Sequence, residues 1–376
     1  MNKKPTILFL INELDFFISH RLWLADAAKK AGYEVHVAAA SKSKLQKSKK
    51  FDFVFHKLHI SRSGINPVKE FFSFCAIFRL YYKLRPDIVH QVTIKPMVYG
   101  SFIARLLGVP AVVNAVSGLG YSFINKGVRA KISRAVLMIF SHFGFNHANL
   151  KFIFQNPDDL KAYVDCKLTS DDKAILIKGS GVDINKFVPM MEPSGAPLVL
   201  MASRMLWDKG VGEFVASARL VKQHCDVRFI LVGDVDVGNP SNISNLQLKR
   251  WVEEGVVEWW GWQENIKNIL AQSHVVCLPS YREGLPRILI EAAACGKPIV
   301  TTETPGCRDI VIDGYNGFLV PVKAVDSLAL AIRNLIVDSD LREQMGKKGR
   351  EVVVSHFSQD KVIKETFDVY QKLGVL

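Results

Sequence analysis

Glu283 and Glu291 stand eight residues apart in the stretch 274–298, HVVCLPSYREGLPRILIEAAACGKP, and their surroundings could put both to chemical use. Residues 274–279 form a short apolar run closed by Pro-Ser, the pattern of a buried parallel strand. Pro286 suits the first position of a helix, the apolar stretch 288–294 continues it, and Gly296 followed by Pro298 stops it. Glu283 therefore precedes a helix start, and Glu291 lies about one and a half turns inside. A helix start carries unpaired N–H groups and a partial positive charge, so it favours an anion. Two carboxylates beside a bound diphosphate would repel it unless they served another group. Sugar hydroxyls are that group, because an ionised carboxylate only accepts hydrogen bonds. Gly284 would let backbone approach such a ligand closely. The spacing suits a sugar joined to a nucleoside diphosphate. An ordinary strand–turn–helix with one loop acid and one helix acid fits the same two residues.

Other candidates lie at other strand ends. Ser203-Arg204 closes a strand, and Lys209-Gly210 opens the next helix across MLWD. Arg204 by its planar fork and Lys209 as a point charge could clamp a diphosphate. The plain alternative is a solvated loop pair, with Asp208 as the partner of Lys209. Glycines flank Ser180 in GSGVD, so Gly181 either brings backbone to phosphate or forms the tight turn of a domain crossing. Asp234, Asp236 and Asn239 have no second cluster of hard ligands beside them, so a loop is expected there and no metal. His20 and Arg21 are placed at the start of the first helix. The loop Ser117-Gly118-Leu119-Gly120-Tyr121 could line an acceptor site, and it is also what any long connection looks like. Trp207, Trp259, Trp260 and Trp262 could stack on a base or sugar, or be buried aromatics.

The elements that must present these residues follow a strand–helix–strand rhythm, which signals parallel sheets covered on both faces. Strands are expected at 5–11, 34–40, 52–58, 87–92, 111–116, 150–155 and 174–178. Helices are expected at 20–31, 68–84, 96–107 and 128–146, and a loop over 12–19. PMMEPSGAP (189–197) reads as a domain boundary. The rhythm then restarts with strands at 198–202, 227–232, 256–260, 275–278, 299–302 and 318–320. Two α/β domains result, 1–188 and 189–356, with a last helix in 357–376 packing back on the first. Two doubly wound sheets whose strand ends face one another would make a cleft, where ligands bind.

The chain's 376 residues suffice for two such cores. Six cysteines are scattered without a C-x-x-C pair, so neither a disulfide frame nor a metal site is expected. Glu13 and Asp15 directly follow the apolar start, which argues against a cleavable signal, and no apolar run reaches the roughly 18 to 20 residues of a membrane span. The net charge of +13 is uneven. Residues 1–190 hold 28 Lys and Arg against 13 Asp and Glu, a net of +15, and residues 191–376 hold 21 against 23, a net of −2. An anionic partner is therefore expected for the first half alone. Its segments 68–84 and 128–152 mix Lys and Arg with Phe, Leu and Ile, and could lie on an anionic membrane or simply pack on the sheet.

Assembled in order, these residues resemble glycosyltransferase family 4, retaining enzymes with the two-domain GT-B fold. The family's E-x7-E motif is matched by Glu283 and Glu291 within REGLPRILIEAAACGKPIVT, its diphosphate clamp by Arg204 and Lys209 in SRMLWDKG, and its crossing turn by GSGVD. The stretches FFISHRLWLADAAKKAGYEVHVAA, VTIKPMVYGSFIARLLGVPAVVNAVSGLGYSF and GDVDVGNP resemble bacterial enzymes that extend undecaprenyl-diphosphate-linked sugars, among them α-1,3-N-acetylgalactosaminyltransferases. The resemblance implies that Arg204 and Lys209 hold the diphosphate of a UDP-sugar, that Glu283 contacts the hexose and Glu291 the ribose. Gly284, Leu285, Pro286, Ser203 and Gly181 would border the donor, and His20, Lys95, Ser117, Gly118 and Gly120 the acceptor. It implies no metal and no cofactor. Many members carry a His in the loop after the strand equivalent to 111–116, where this chain has Ser117-Gly118-Leu119-Gly120, so that role does not transfer.

The expectation is a peripheral enzyme on the cytoplasmic face of the bacterial inner membrane. It would move GalNAc from UDP-GalNAc to a polyprenyl-diphosphate saccharide in surface-glycan (O-antigen, lipopolysaccharide) assembly, and would bind no nucleic acid. A GT-B UDP-sugar epimerase, a transferase of another hexose and a basic nucleic-acid-binding protein are the rivals; the last would need aromatic stacking on an open positive face.

Overall fold

Unbroken apolar runs make strands buried on both faces, and β1 (Thr6–Glu13) shows it: Ile7, Leu8, Phe9, Leu10 and Ile11 are all fully buried. In the computed structural model, which describes residues 4–40, 52–58, 60, 66–118 and 140–375, β1 lies inside a seven-stranded parallel sheet. The other strands are β2 (Glu34–Ala40), β3 (Val54–Lys57), β4 (Ile88–Val92), β5 (Ala111–Val116), β6 (Leu150–Phe154) and β7 (Ala174–Leu176), in the order β3-β2-β1-β4-β5-β6-β7. The chain thus winds outward in one direction from β1 and in the other from β4, which makes the β1–β4 boundary the switch point of the sheet.

The period of two sorts the side chains. Ile7, Phe9 and Ile11 pack on one face with Phe17 and Leu24. These two come from α1 (Leu14–His20) and α2 (Leu22–Lys30). Leu8 and Leu10 pack on the other face with Ile77 and Ile103, from α3 (Pro67–Leu84) and α4 (Ile94–Leu107). The expected loop over 12–19 is therefore corrected. The strand runs on to Glu13 and a helix begins at once, because Leu14 and Phe17 recur at helical spacing and bury together. Backbone bonds from Arg21 N to Phe17 O (2.8 Å) and from Ala25 N to Arg21 O (3.0 Å) carry that helix into the next. A further helix, α5 (Pro157–Asp165), is capped by Asn156 Oδ1, which accepts from Asp159 N at 2.8 Å. Of the helix expected over 128–146, residues 140–145 are helical and 128–139 lie outside the described residues.

A second sheet, also parallel, has the order β10-β9-β8-β11-β12-β13. Its strands are β8 (Leu198–Ala202), β9 (Arg228–Val232), β10 (Glu258–Trp259), β11 (Val275–Leu278), β12 (Ile299–Thr302) and β13 (Gly317–Val320). Helices α6 (Val211–Lys222), α7 (Asn245–Glu253), α8 (Ile266–Gln272), α9 (Arg287–Ala294), α10 (Val325–Val337) and α11 (Ser339–His356) surround it. Leu200, Phe229, Val276, Phe214, Ile290 and Ile332 sit in its core.

The described chain divides into two compact units, 1–180 with 362–376, and 181–361. The segment 189–197 is tied into the second unit. Glu192 accepts from Arg342 at 2.9 and 2.8 Å, and Pro193 O pairs with His274 Nε2 at 3.1 Å. The last helix, α12 (Gln359–Lys372), serves the first unit: Val362, Val369 and Tyr370 enter its core, and the Tyr370 hydroxyl meets His90 Nδ1 at 2.8 Å. All six cysteines are free thiols. Among the described residues, no helix is long and apolar enough to cross a membrane.

Candidate functional site

The carboxyl ends of β8 and β11, neighbours in the second sheet, bring two of the sequence-predicted residues, Lys209 and Glu283, together. After β8 the chain passes Ser203 and Arg204 and makes a 3-10 turn, Trp207–Lys209, before α6. Gly210, at φ 76, lets this turn lie flat against the other loop, since a Cβ there would meet Pro279 O at 2.0 Å. Tyr281 N donates to Asp208 O at 2.9 Å, and the Ser280 hydroxyl reaches the same oxygen at 3.3 Å. The two loops are thus stitched together. Lys209 Nζ then donates to Glu283 Oε1 at 2.5 Å, with both side chains mostly buried. Asp208, the partner conceivable from sequence, is not the one paired with Lys209 here; its Oδ1 is buried without a partner.

Arg204 pairs with Asp236, whose own backbone N donates to Asn242 Oδ1 at 2.8 Å and whose carboxylate accepts from Asn239 Nδ2 at 3.2 Å. Asp236 of the GDVDVGNP loop therefore holds an arginine and its own turn. Among the described residues, no group of three or more His, Cys, Asp or Glu side chains could hold a metal.

Glu291 lies on α9, whose N-cap is Pro286. It is 5% exposed and accepts from Arg287 Nε at 2.6 Å. Burial raises its pKa above the usual carboxylate range, and Arg287 opposes that rise. Leu285 buries its side chain in the second core, so only its backbone is left for a ligand. The 283–284 turn is backed by Gly306 at φ 80, where a Cβ would fall 2.6 Å from Gly284 O and 3.0 Å from Glu283 O. Tyr281, not singled out by the sequence, donates to Glu213 Oε1 at 2.6 Å and lies under Lys323, whose Nζ is 4.9 Å from the ring centroid.

Other expected positions keep to local structure. Gly181 has a left-handed φ of 74, and beside it Val182 N donates to Phe357 O at 3.0 Å. The Ser203 hydroxyl donates to Arg204 O at 3.0 Å. Trp259 Nε1 donates to Gly233 O (2.8 Å), Trp260 Nε1 to Glu258 Oε2 (3.0 Å), and Trp207 packs edge-on against Trp251. Trp262 is 53% exposed and donates its backbone N to Asp234 Oδ1 at 3.1 Å.

In the first unit, His20 ends α1 rather than starting a helix, with its ring stacked 4.1 Å from Phe16 and Nδ1 2.7 Å from the Ser19 hydroxyl. Lys95, near the start of α4, donates to Glu70 Oε1 at 2.6 Å, and the Tyr99 hydroxyl donates to Glu70 Oε2 at 2.8 Å. Ser117 and Gly118 directly follow β5; Gly120 and Tyr121 lie outside the described residues.

Comparison with known proteins decides the family. The model of Glycosyl transferases group 1 matches residues 185–352, and that of Glycosyl transferase 4-like matches residues 6–156. The chain belongs to glycosyltransferase family 4. This glycosyltransferase is 29% identical over 356 residues to the Campylobacter jejuni N,N'-diacetylbacillosaminyl-diphospho-undecaprenol alpha-1,3-N-acetylgalactosaminyltransferase, with 89% of this chain and 92% of that one covered. It is 26% identical to the Escherichia coli UDP-Gal:alpha-D-GlcNAc-diphosphoundecaprenol alpha-1,3-galactosyltransferase, over 82% of this chain and 81% of that one. Its GT-B fold matches HepE from Anabaena in complex with UDP and glucose, at a TM-score of 0.79, 19% identity and coverage of 97% and 99%.

The Gly306 contact makes a test of how the site loop is held. Gly306→Ala adds a clash with the 283–284 backbone to an unfavourable φ, and should cost about 2–4 kcal/mol of stability. Chemical unfolding measures it; an unchanged midpoint contradicts the contact.

Proposed function

We propose that this glycosyltransferase moves GalNAc, with retention of configuration, from UDP-GalNAc to a polyprenyl-diphosphate-linked saccharide. The observation that carries the reading is the Lys209–Glu283 pair at the strand ends of the second unit, in a chain aligned along most of its length with the Campylobacter transferase. In this reading Lys209 and Arg204 exchange their carboxylate partners for phosphate oxygens. Glu283, so released, accepts from the hexose hydroxyls. Glu291 accepts from the ribose, while Ser203, Gly181 and the backbone of residues 284–286 border the donor.

The acceptor hydroxyl oxygen bonds to the sugar's C1 on the face from which UDP departs. As the C1–O bond to UDP breaks, the departing phosphate takes the hydroxyl proton. The two cations stabilise the charge that grows on it, so the reading is of a metal-independent enzyme. A second reading, transfer of galactose from UDP-Gal, is favoured by the name of the E. coli relative. A panel of UDP-sugars with a short-chain polyprenyl-diphosphate N-acetylhexosamine, read by mass spectrometry, separates them. An added N-acetylhexosamine supports the first reading and an added hexose the second; no product with any donor contradicts both.

We place the membrane contact, on the cytoplasmic face of the bacterial inner membrane, on α3. Phe71, Phe72 and Tyr82 are exposed there beside exposed Lys69, Arg79 and Lys83. Each such cation near an anionic surface contributes about 1 kcal/mol. Phe71→Ser with Lys83→Glu should therefore cut sedimentation with vesicles rich in phosphatidylglycerol about tenfold or more. Unchanged sedimentation contradicts the placement.

Two further outcomes follow from the site. Lys209→Ala and Arg204→Ala each remove charge stabilisation of the leaving diphosphate and should lower kcat by about 10²–10³, or about 2–4 kcal/mol; unchanged turnover contradicts the roles. Glu291 supplies a pH test. Burial holds its pKa high in the free chain, and ribose hydroxyls favour the ionised form, so binding lowers that pKa and releases a proton. UDP affinity should then rise with pH through the carboxylate range and level off above it. Calorimetry through the carboxylate range, in buffers of different ionisation heat, reads the proton. Because the terminal phosphate of UDP also releases a proton, the diagnostic is the difference between proteins: equal release from the wild type and Glu291→Gln contradicts the ribose role.

A further inference from the structure

Two buried polar groups at the carboxyl edge of the first sheet have no partner within the protein. Asn12 is 8% exposed, and its Oδ1 makes no hydrogen bond. The hydroxyl of Thr93 is also shut from solvent and also unpartnered. Each lies two residues beyond the paired Leu10 and Gln91, one at the end of β1 and the other just past β4. These are the two strands that flank the switch point, where open α/β sheets leave a crevice for ligands.

The backbone adds an independent sign. Thr93 has φ 73 and ψ 157, a region that is nearly exclusive to glycine and unfavourable for a β-branched side chain. It caps α4 without a side-chain hydrogen bond to that helix. Its hydroxyl is therefore held in a costly position that serves no contact inside the protein. Deeper in the same sheet one polar group, formed by Tyr81, Gln91, Ser101 and Asn114, is engaged internally, while His90 Nε2 and Arg21 Nε are also buried without a partner. Gln91 Nε2 donates to the Tyr81 hydroxyl at 3.3 Å, the Ser101 hydroxyl donates to Gln91 Oε1 at 3.1 Å, and Asn114 Nδ2 donates to Ser101 Oγ at 2.9 Å. Asn12 and Thr93 differ from His90 and Arg21 in lying past the paired ends of β1 and β4, where a sheet of this topology opens to ligands, so they call for a partner from outside.

We propose that Asn12 and Thr93 form a subsite for hydroxyl groups of the acceptor saccharide. Sugar hydroxyls fit because they both donate and accept. The amide oxygen of Asn12 needs a donor, the threonine hydroxyl takes either, and a hydroxyl also answers the amide in its flipped orientation. With the amide in its recorded orientation, a fully ionised phosphate brings acceptors only and would leave Asn12 Oδ1 unanswered. Sugar binding then supplies the hydrogen bonds that folding left unmade. This assignment rests on the transferase reading above and names the two side chains that would read the acceptor.

The test is steady-state kinetics with a short-chain polyprenyl-diphosphate N-acetylhexosamine, together with thermal unfolding, on Asn12→Ala, Thr93→Gly and Thr93→Ser. Asn12→Ala and Thr93→Gly should raise the acceptor KM about tenfold or more while the donor KM moves less than about twofold. Both should melt at or above the wild-type temperature, because one removes an unpaired group and the other relieves the backbone. Thr93→Ser keeps the hydroxyl and should keep the acceptor KM. An unchanged acceptor KM in both variants overturns the subsite, as does a change confined to the donor KM. A lowered melting temperature with both KM values rising together shows a structural role and overturns it too. Absence of any transfer by the wild type overturns the transferase reading itself, and this assignment with it.

Discussion

The ion pair of Lys209 with Glu283 joins two loops whose residues stand 74 apart in sequence, and the second unit's site depends on it. Both side chains are largely out of water, where either charge alone would carry a heavy desolvation cost. Paired, they hold each other at the strand ends in a form ready for exchange. In the proposed function, an incoming diphosphate would offer the lysine a more concentrated negative charge, and the displaced carboxylate would be left beside the hydroxyls of the attached sugar. Arg204 repeats the arrangement with Asp236, and Arg287 with Glu291. These three cations are therefore held in matched pairs.

Close backbone packing keeps those pairs in register. Gly210 lets the turn after β8 touch Pro279, and Gly306 lets its own turn touch Glu283 and Gly284. Hydrogen bonds from Tyr281 and Ser280 to a single carbonyl, Asp208 O, fix one loop to the other. Loop backbones held this way need little reorganisation, so in the proposed function only side-chain partners would change when a ligand arrives. The first unit works differently. Its sheet edge retains unanswered polar atoms and a strained threonine, a cost in stability that a bound ligand can offset.

The strand–helix alternation, the parallel sheets and the acids at 283 and 291 were all readable in the sequence, because each depends on local period or on a short motif. The pairings were not. Arg204 and Asp236 are separated by 32 residues, and nothing in their spacing says that a loop acid weighed as a metal ligand is an arginine's partner. The helix at Leu14–His20 was missed because Asn12, Glu13 and Asp15 gave it the look of a loop, while its anchors, Leu14 and Phe17, are only two. The helix after Asn156 had a legible signal in Asn-Pro-Asp-Asp, a cap followed by proline and an acidic first turn. Thr93 could not have been found by pattern, since a left-handed φ at a β-branched residue contradicts local preference and is imposed by the surrounding fold.

In the proposed function a diphosphate displaces carboxylates from Lys209 and Arg204, so that the phosphates, and not the nucleoside, supply most of the attraction. Titration calorimetry of the purified chain with UDP and with uridine tests it most directly. The account predicts that UDP binds and that uridine binds far more weakly, with UDP affinity falling as salt is raised. Equal affinity for the two ligands, or no binding of UDP, would contradict it.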